Sequence, residues 1–284
     1  LREAGVGRAR IGVELDNYWY TAAADRALRA ALPDATFADA TALVNWQRAV
    51  KSERELAYMR RAARIVERMH DVIRAEMRPG VRKCDLVAKL TAAGIEGADG
   101  HGGDYPAIVP LLPTGRDAAA PHLTWDDRPL ERGAATFFEI AGCHRRYHAP
   151  LCRTVHLGAP PPFMRDAELA LLDGLEAGLD AARAGKRACD VADALHATLA
   201  AAGIEREARC GYPIGLSYPP DWGERTISFR AEDTTILEPN MTFHFMPGLW
   251  MNDWGLEITE SIVIREHGPA ECLADYPREL VVVD

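Results

Sequence analysis

Apolar residues recur at three- and four-residue steps along some stretches of the chain and at two-residue steps along others. That change of period marks out the elements. Leu56, Met59, Ala63, Val66, Met69, Ile73 and Met77 form one stripe of a long amphipathic helix. Arg78-Pro79-Gly80, a breaker followed by a turn former, ends it. Leu172, Leu175 and Leu179 predict a second helix of the same kind. Apolar, aromatic or alternating runs bounded by Gly and Pro predict strands over 107–112, 135–141, 147–155, 242–246 and 256–264. Ahead of these, residues 1–48 read as a small α/β piece, with a strand over 10–15 and helices over 22–31 and 42–48. A charged link at 51–55 follows.

The pattern also repeats. Arg78-Pro79-Gly80 with Cys84-Asp85-Leu86 matches Arg183-Ala184-Gly185 with Cys189-Asp190-Val191. Each copy follows an amphipathic helix and leads into another that closes on Ala-Ala-Gly-Ile, at 92–95 and 201–204. A duplicated unit of helix, turn and helix with strands behind it predicts an α+β fold. In that fold a curved antiparallel sheet is covered on its outer face by helices in two pseudo-symmetric halves. The expected division is a small domain over 1–50 and the main domain over 51–284.

Composition narrows the function. The chain has 284 residues, 48% of them hydrophobic and 26% charged, as in an ordinary soluble globular protein. A net charge of −9 and the lack of a basic block argue against nucleic acid as a partner. The six cysteines, at 84, 143, 152, 189, 210 and 272, form no CxxC pair, which suits free thiols in a reducing, cytoplasmic setting. No signal peptide or apolar run of membrane-spanning length is legible. The first residue is Leu1 and the chain opens on charged residues, so a natural protein continuing upstream is expected.

The strands carry motifs that resemble a known superfamily. Phe137-Phe138-Glu139-Ile140-Ala141-Gly142 with Tyr147-His148-Ala149-Pro150-Leu151-Cys152-Arg153-Thr154 is similar to the paired motif of the "pita-bread" hydrolases, which include prolidase, aminopeptidase P, methionine aminopeptidase and creatinase. Glu238-Pro239-Asn240-Met241-Thr242-Phe243-His244 and Gly255-Leu256-Glu257-Ile258-Thr259-Glu260 resemble the later motifs. The resemblance runs from about residue 50 to the end, and residues 1–48 look like the trailing half of a creatinase-type N-terminal domain. It implies the pita-bread fold and a homodimer.

The peptidases of this superfamily bind two divalent metals through Asp, Asp, His, Glu and Glu. The matching positions here are Glu139, Pro150, Tyr212, Met246 and Thr259. One carboxylate cannot offset the charge of a metal pair, and Pro and Met are no ligands for hard cations. The resemblance therefore points to the metal-free branch, with no cofactor. Creatinase, the metal-free relative, works with a His in the loop before the paired motif, and His122 occupies that place. The carboxylates creatinase has at the positions of Cys152 and Met246 are missing. The finer similarity is to bacterial ectoine hydrolases. It is carried by Gly102-Gly103-Asp104-Tyr105-Pro106, Pro121-His122-Leu123-Thr124-Trp125, Tyr218-Pro219-Pro220-Asp221-Trp222-Gly223-Glu224 and Trp250-Met251-Asn252-Asp253-Trp254.

That resemblance implies opening of a cyclic amidine that bears a carboxylate. The chemistry needs a carboxylate against the amidinium, a base for water and an acid for the leaving nitrogen. The resemblance to creatinase implies His122 as a catalytic residue, and strand alternation around the former ligand positions adds Glu139 and Glu257. His148, Tyr212 and His244 are expected to contact substrate, and Trp125, Trp222, Trp250 and Trp254 to wall a compact cation. Arg153, or Arg146, is expected to fork onto the substrate carboxylate. Cys152 reads as a small buried thiol rather than a nucleophile. A creatinase-like amidinohydrolase, an Xaa-Pro peptidase and a non-catalytic binding module are the competing readings.

Overall fold

A computed structural model describes residue 1 and residues 3–284. The chain divides into two compact units, Leu1–Ala49 and Val50–Asp284. In the first, β1 (Arg10–Val13), α1 (Ala22–Ala31) and β2 (Thr36–Asp39) form a parallel β-α-β turn, followed by the short helix α2 (Leu43–Gln47). The strand expected over 10–15 stops two residues early.

The second unit begins with α3 (Glu53–Glu76), a helix of 24 residues. Its start is set inside the stretch read above as a charged link. Ser52 caps the helix and Glu55 bonds back to the Ser52 N–H, a capping box worth about 1 kcal/mol. Leu56, Met59, Ala63, Val66, Met69 and Ile73 are buried along it, and each large side chain contributes about 1.5–3 kcal/mol. α4 (Lys83–Glu96) packs on α3. Behind both lies the hairpin of β3 (Ala135–His144) and β4 (Tyr147–Leu157), every residue of which is buried. The approach of α3 is so close that a Cβ on Gly142 would meet the Ala62 carbonyl oxygen at 2.0 Å, so only glycine fits there.

The second half repeats the plan with α5 (Pro162–Ala181) against α6 (Ala188–Ala201). The two Ala-Ala-Gly-Ile segments differ. The first lies within α4, and in the second the helix ends at Ala201 and Gly203 turns at φ +77°. β5 (Gly211–Pro213) and β6 (Thr242–Phe245) follow, then the ribbon of β7 (Gly248–Trp250) with β8 (Gly255–Glu257), and β9 (Glu260–Val263). β10 (Glu271–Cys272) and β11 (Val281–Val283) complete the chain.

The strands form sheets in the orders β10-β9-β6-β5 and β11-β4-β3. All pairs in the first are antiparallel, but β11 joins β4 in parallel, a departure from the wholly antiparallel sheet expected. Two further readings are corrected. The run over 256–264 is broken at Ile258–Thr259 into β8 and β9, because Thr259 turns aside to bond β4: its N–H donates to the Cys152 carbonyl and its hydroxyl accepts the Cys152 N–H. The run over 107–112 is no strand. Its backbone bridges to β3 where Leu111 and Glu139 exchange hydrogen bonds. No helix among the described residues is long and apolar enough to cross a membrane.

Candidate active site

Register brings the expected polar groups to one place. Glu139 on β3 is paired directly with Cys152 on β4, so both side chains face the same side. Tyr212 on β5 is paired with His244 on β6. The two sheets meet at Thr259, whose hydroxyl touches both Cys152 and His244. A cavity of about 860 Å³ opens over this junction. Its wall includes Glu139, His122, Tyr212, Met246 and Trp250. The exchange of bonds between Leu111 and Glu139 is what delivers His122, because the next residue, Leu112, donates its N–H to Leu123 in the loop that carries His122.

Behind Tyr212 runs a chain of hydrogen bonds. Trp222 Nε1–H donates to the Tyr212 hydroxyl at 2.8 Å. That hydroxyl lies 2.9 Å from His244 Nδ1, and His244 Nε2 lies 2.8 Å from the Thr259 hydroxyl. Burial, with the Arg209 charge as a smaller cause, pushes His244 down to about 3, so the ring is neutral. A neutral ring carries one proton, and either tautomer leaves both nitrogens paired. In one the Tyr212 O–H points at His244; in the other it is released toward the cavity.

Two carboxyls lie close together here, Glu139 on the cavity wall and Glu257 buried off it. Burial raises Glu139 to about 7, opposed by Arg209 and reinforced by Asp221. Glu257 is wholly buried, and neither oxygen has a well-formed hydrogen bond among the described residues; the Cys152 thiol lies beside it. Burial first, and the negative charge of Glu139 second, drive Glu257 far above the usual carboxyl range. Glu139 therefore ionises first, and Glu257 keeps its proton. His244 Nδ1 is 3.8 Å from Glu139, too far for a hydrogen bond.

Several expected contacts, His244 and Glu257 among them, are not on the cavity wall. Arg153 cannot clamp a ligand, because its five donors meet Pro277, Cys152, Thr259 and Tyr276 carbonyls and the Glu260 carboxylate in the interior. Arg146 is likewise spent on the Ser217 and Tyr105 carbonyls. His148 accepts the Ala107 N–H at 2.9 Å and so anchors the 107–112 segment rather than a substrate. Trp222 is fully buried behind Tyr212, Trp254 packs on Phe163 at 5.3 Å beside a separate smaller cavity, and Trp125 lies on the surface. Of the four tryptophans only Trp250 borders the cavity, with the Arg206 guanidinium over its ring. The wall also holds Arg209, Asp221, Arg225 and Arg230, none of which strand periodicity could single out, because they lie in loops flanking β5.

Residues 57–266 match the metallopeptidase family M24, and the chain belongs to that family. The curated ectoine hydrolase of Halomonas elongata is 58% identical over 99% of this chain and 72% of its own. An uncharacterized hydrolase/peptidase of Sinorhizobium fredii is 43% identical over 100% of this chain and 72% of its own. Among solved structures, the X-Pro aminopeptidase of Thermotoga maritima superposes with a TM-score of 0.86 at 23% identity, covering 99% of this chain and 78% of that one. The fold is thus the pita-bread fold of these peptidases, and the protein is a hydrolase of that family.

A dinuclear metal centre, which a metallopeptidase family implies, does not fit these residues. Of the five matching positions only Glu139 offers a carboxylate, and the Tyr212 and Thr259 oxygens are already held by Trp222, Cys152 and His244. Among the described residues, the one group of three or more His, Cys, Asp or Glu within ligating distance is Cys189, Asp190 and Asp193, away from the cavity on α6, with Asp190 bonded to Arg187.

Proposed function

We propose that this protein is an ectoine hydrolase that opens the cyclic amidine without a metal. The 58% identity to the Halomonas elongata ectoine hydrolase along nearly the whole chain carries the reading. The cavity supports it because Glu139 is the one carboxylate on its wall at a position where the peptidases carry a metal ligand. In the proposed reaction the ionised Glu139 pairs with the amidinium. Water adds to the amidinium carbon and gives a proton to His122. The C–N bond to one ring nitrogen breaks, its electron pair leaves with the nitrogen, and His122 returns the proton there. The remaining hydroxyl proton passes to the freed amine, giving an N-acetylated diaminobutyrate with an ammonium group. An amidinium carbon is electrophilic by itself, so a Lewis acid is dispensable.

The direct test is incubation with ectoine, followed by proton NMR, before and after exhaustive treatment with a chelator. Ring opening at the same rate in both is expected, with less than about 0.1 Mn, Co or Zn per chain in protein purified without chelator. One tightly held metal per chain, together with loss of turnover on its removal, would overturn the metal-free reading.

Glu257 enters as a neutral neighbour of Glu139. Glu257→Gln exchanges a protonated acid for an amide of the same shape. The acid limb of the pH profile of kcat/KM is therefore expected to stay within about 0.3 unit of the parent's. A limb displaced by a full unit or more would mean that Glu257 is ionised and acts by its charge.

A further inference from the structure

Two arginines on the cavity wall, Arg209 and Arg230, have no counter-ion among the described residues. The Cys210 N–H donates to the Phe229 carbonyl at 2.9 Å, and the Phe229 N–H to the Gly211 carbonyl at 2.9 Å. Arg209 and Arg230 are the next residues outward from that contact, on opposite chain segments, and both line the cavity. The Arg209 guanidinium lies 4.8 Å over the Tyr212 ring. Among the described residues neither guanidinium has a hydrogen-bond or ion-pair partner, and Asp221 on the same wall pairs with neither. Like charges held on one wall cost stability. Thr226 and Ser228, at alternate positions before Arg230, line the same wall. Their hydroxyl oxygens are buried and find no partner among the described residues, which is also costly. Two unneutralised cations and two unpartnered hydroxyls on one wall are the donor set that an anion would satisfy together.

We infer that Arg209 and Arg230, with the Thr226 and Ser228 hydroxyls, hold the carboxylate of the substrate. The inference rests on the hydrolase reading and adds to it the group that selects a carboxylate-bearing amidine. The cavity then has two poles, a carboxylate at Glu139 and a guanidinium pair at its side, linked by the Tyr212 ring. Arg209 already exerts its charge on Glu139, Tyr212 and His244, so the poles are near enough for a compact zwitterion to span. A guanidinium fork suits a carboxylate better than an ammonium does.

The test compares the parent with Arg230→Gln and with the Arg209→Gln, Arg230→Gln double variant. The substrates are ectoine and the same cyclic amidine lacking its carboxylate. For Arg230→Gln, KM for ectoine is expected to rise at least about 10-fold with kcat within about 3-fold, and kcat/KM on the ring without carboxylate to change less than about 3-fold. The double variant is expected to lose about 10²-fold in kcat/KM on ectoine. Melting of the ligand-free Arg230→Gln protein is expected at or above the parent Tm, since one of two repelling charges is gone. Acetate, added against chloride at equal ionic strength, is expected to raise the parent's Tm and not that of the double variant. Equal losses on both substrates, an unchanged KM for ectoine, or an Arg230→Gln protein melting several degrees lower would overturn the carboxylate site. If the parent opens neither ring, the hydrolase reading fails, and the acetate measurement alone decides whether the wall binds a carboxylate.

Discussion

Glu139→Gln is expected to fold as the parent does and to lose at least about 10²-fold in kcat/KM for ectoine. The amide keeps the shape of the side chain on β3 and removes the charge that faces the amidinium. Glu257 cannot replace it, because it is buried and protonated. Folding is safe for a reason that follows from burial. Glu139 is raised from 4.5 to about 7, so the stability tied to its neutral form is complete below 4.5 and is lost as pH rises through about 7. The variant has no such loss and is expected to melt at or above the parent Tm at pH 8. The same shift sets the parent's acid limb. Because the working form is ionised, kcat/KM is expected to fall as pH drops through about 7. The limb in kcat is expected at lower pH, since a bound amidinium favours the carboxylate. An equally active Glu139→Gln enzyme would remove this residue from the mechanism.

His122→Ala is expected to lower kcat by about 10²–10⁴-fold, the usual yield of general acid–base catalysis. KM for ectoine is expected to move much less, because a base acts mainly in the transition state. His122 is exposed on the cavity wall, in a loop held to β3 through the Leu112 to Leu123 and Leu111 to Glu139 backbone bonds. Its removal therefore opens no hole in the core, and the Tm is expected to stay within a few degrees. A variant that keeps kcat within about 3-fold would move the base elsewhere. The Tyr212–His244 pair is then the next group to test, because its O–H can turn to the cavity without His244 becoming charged.

Periodicity, repeats and motif spacing by themselves determined the helical layers, the duplicated halves and the hairpin of β3 with β4. Those signals are local: a stripe of apolar residues three and four apart must bury one face, and alternation within a strand states which residues share a side. The break between β8 and β9 at Thr259, the parallel addition of β11 and the loop-like path of 107–112 were decided by partners distant in sequence. So were the roles of the polar residues. Arg153 and His148 carry the charge and ring expected of substrate contacts, yet the tertiary structure turns Arg153 onto five interior acceptors and His148 onto the Ala107 N–H. Arg209 and Arg230 stand 21 positions apart in irregular segments and come to one cavity wall where the Cys210 and Phe229 backbones bond. A residue's type limits what it can bind. Which neighbour reaches it first is settled by the packing of segments far apart along the chain, and a buried donor takes the acceptor that packing supplies because leaving it unpaired costs about 1–3 kcal/mol.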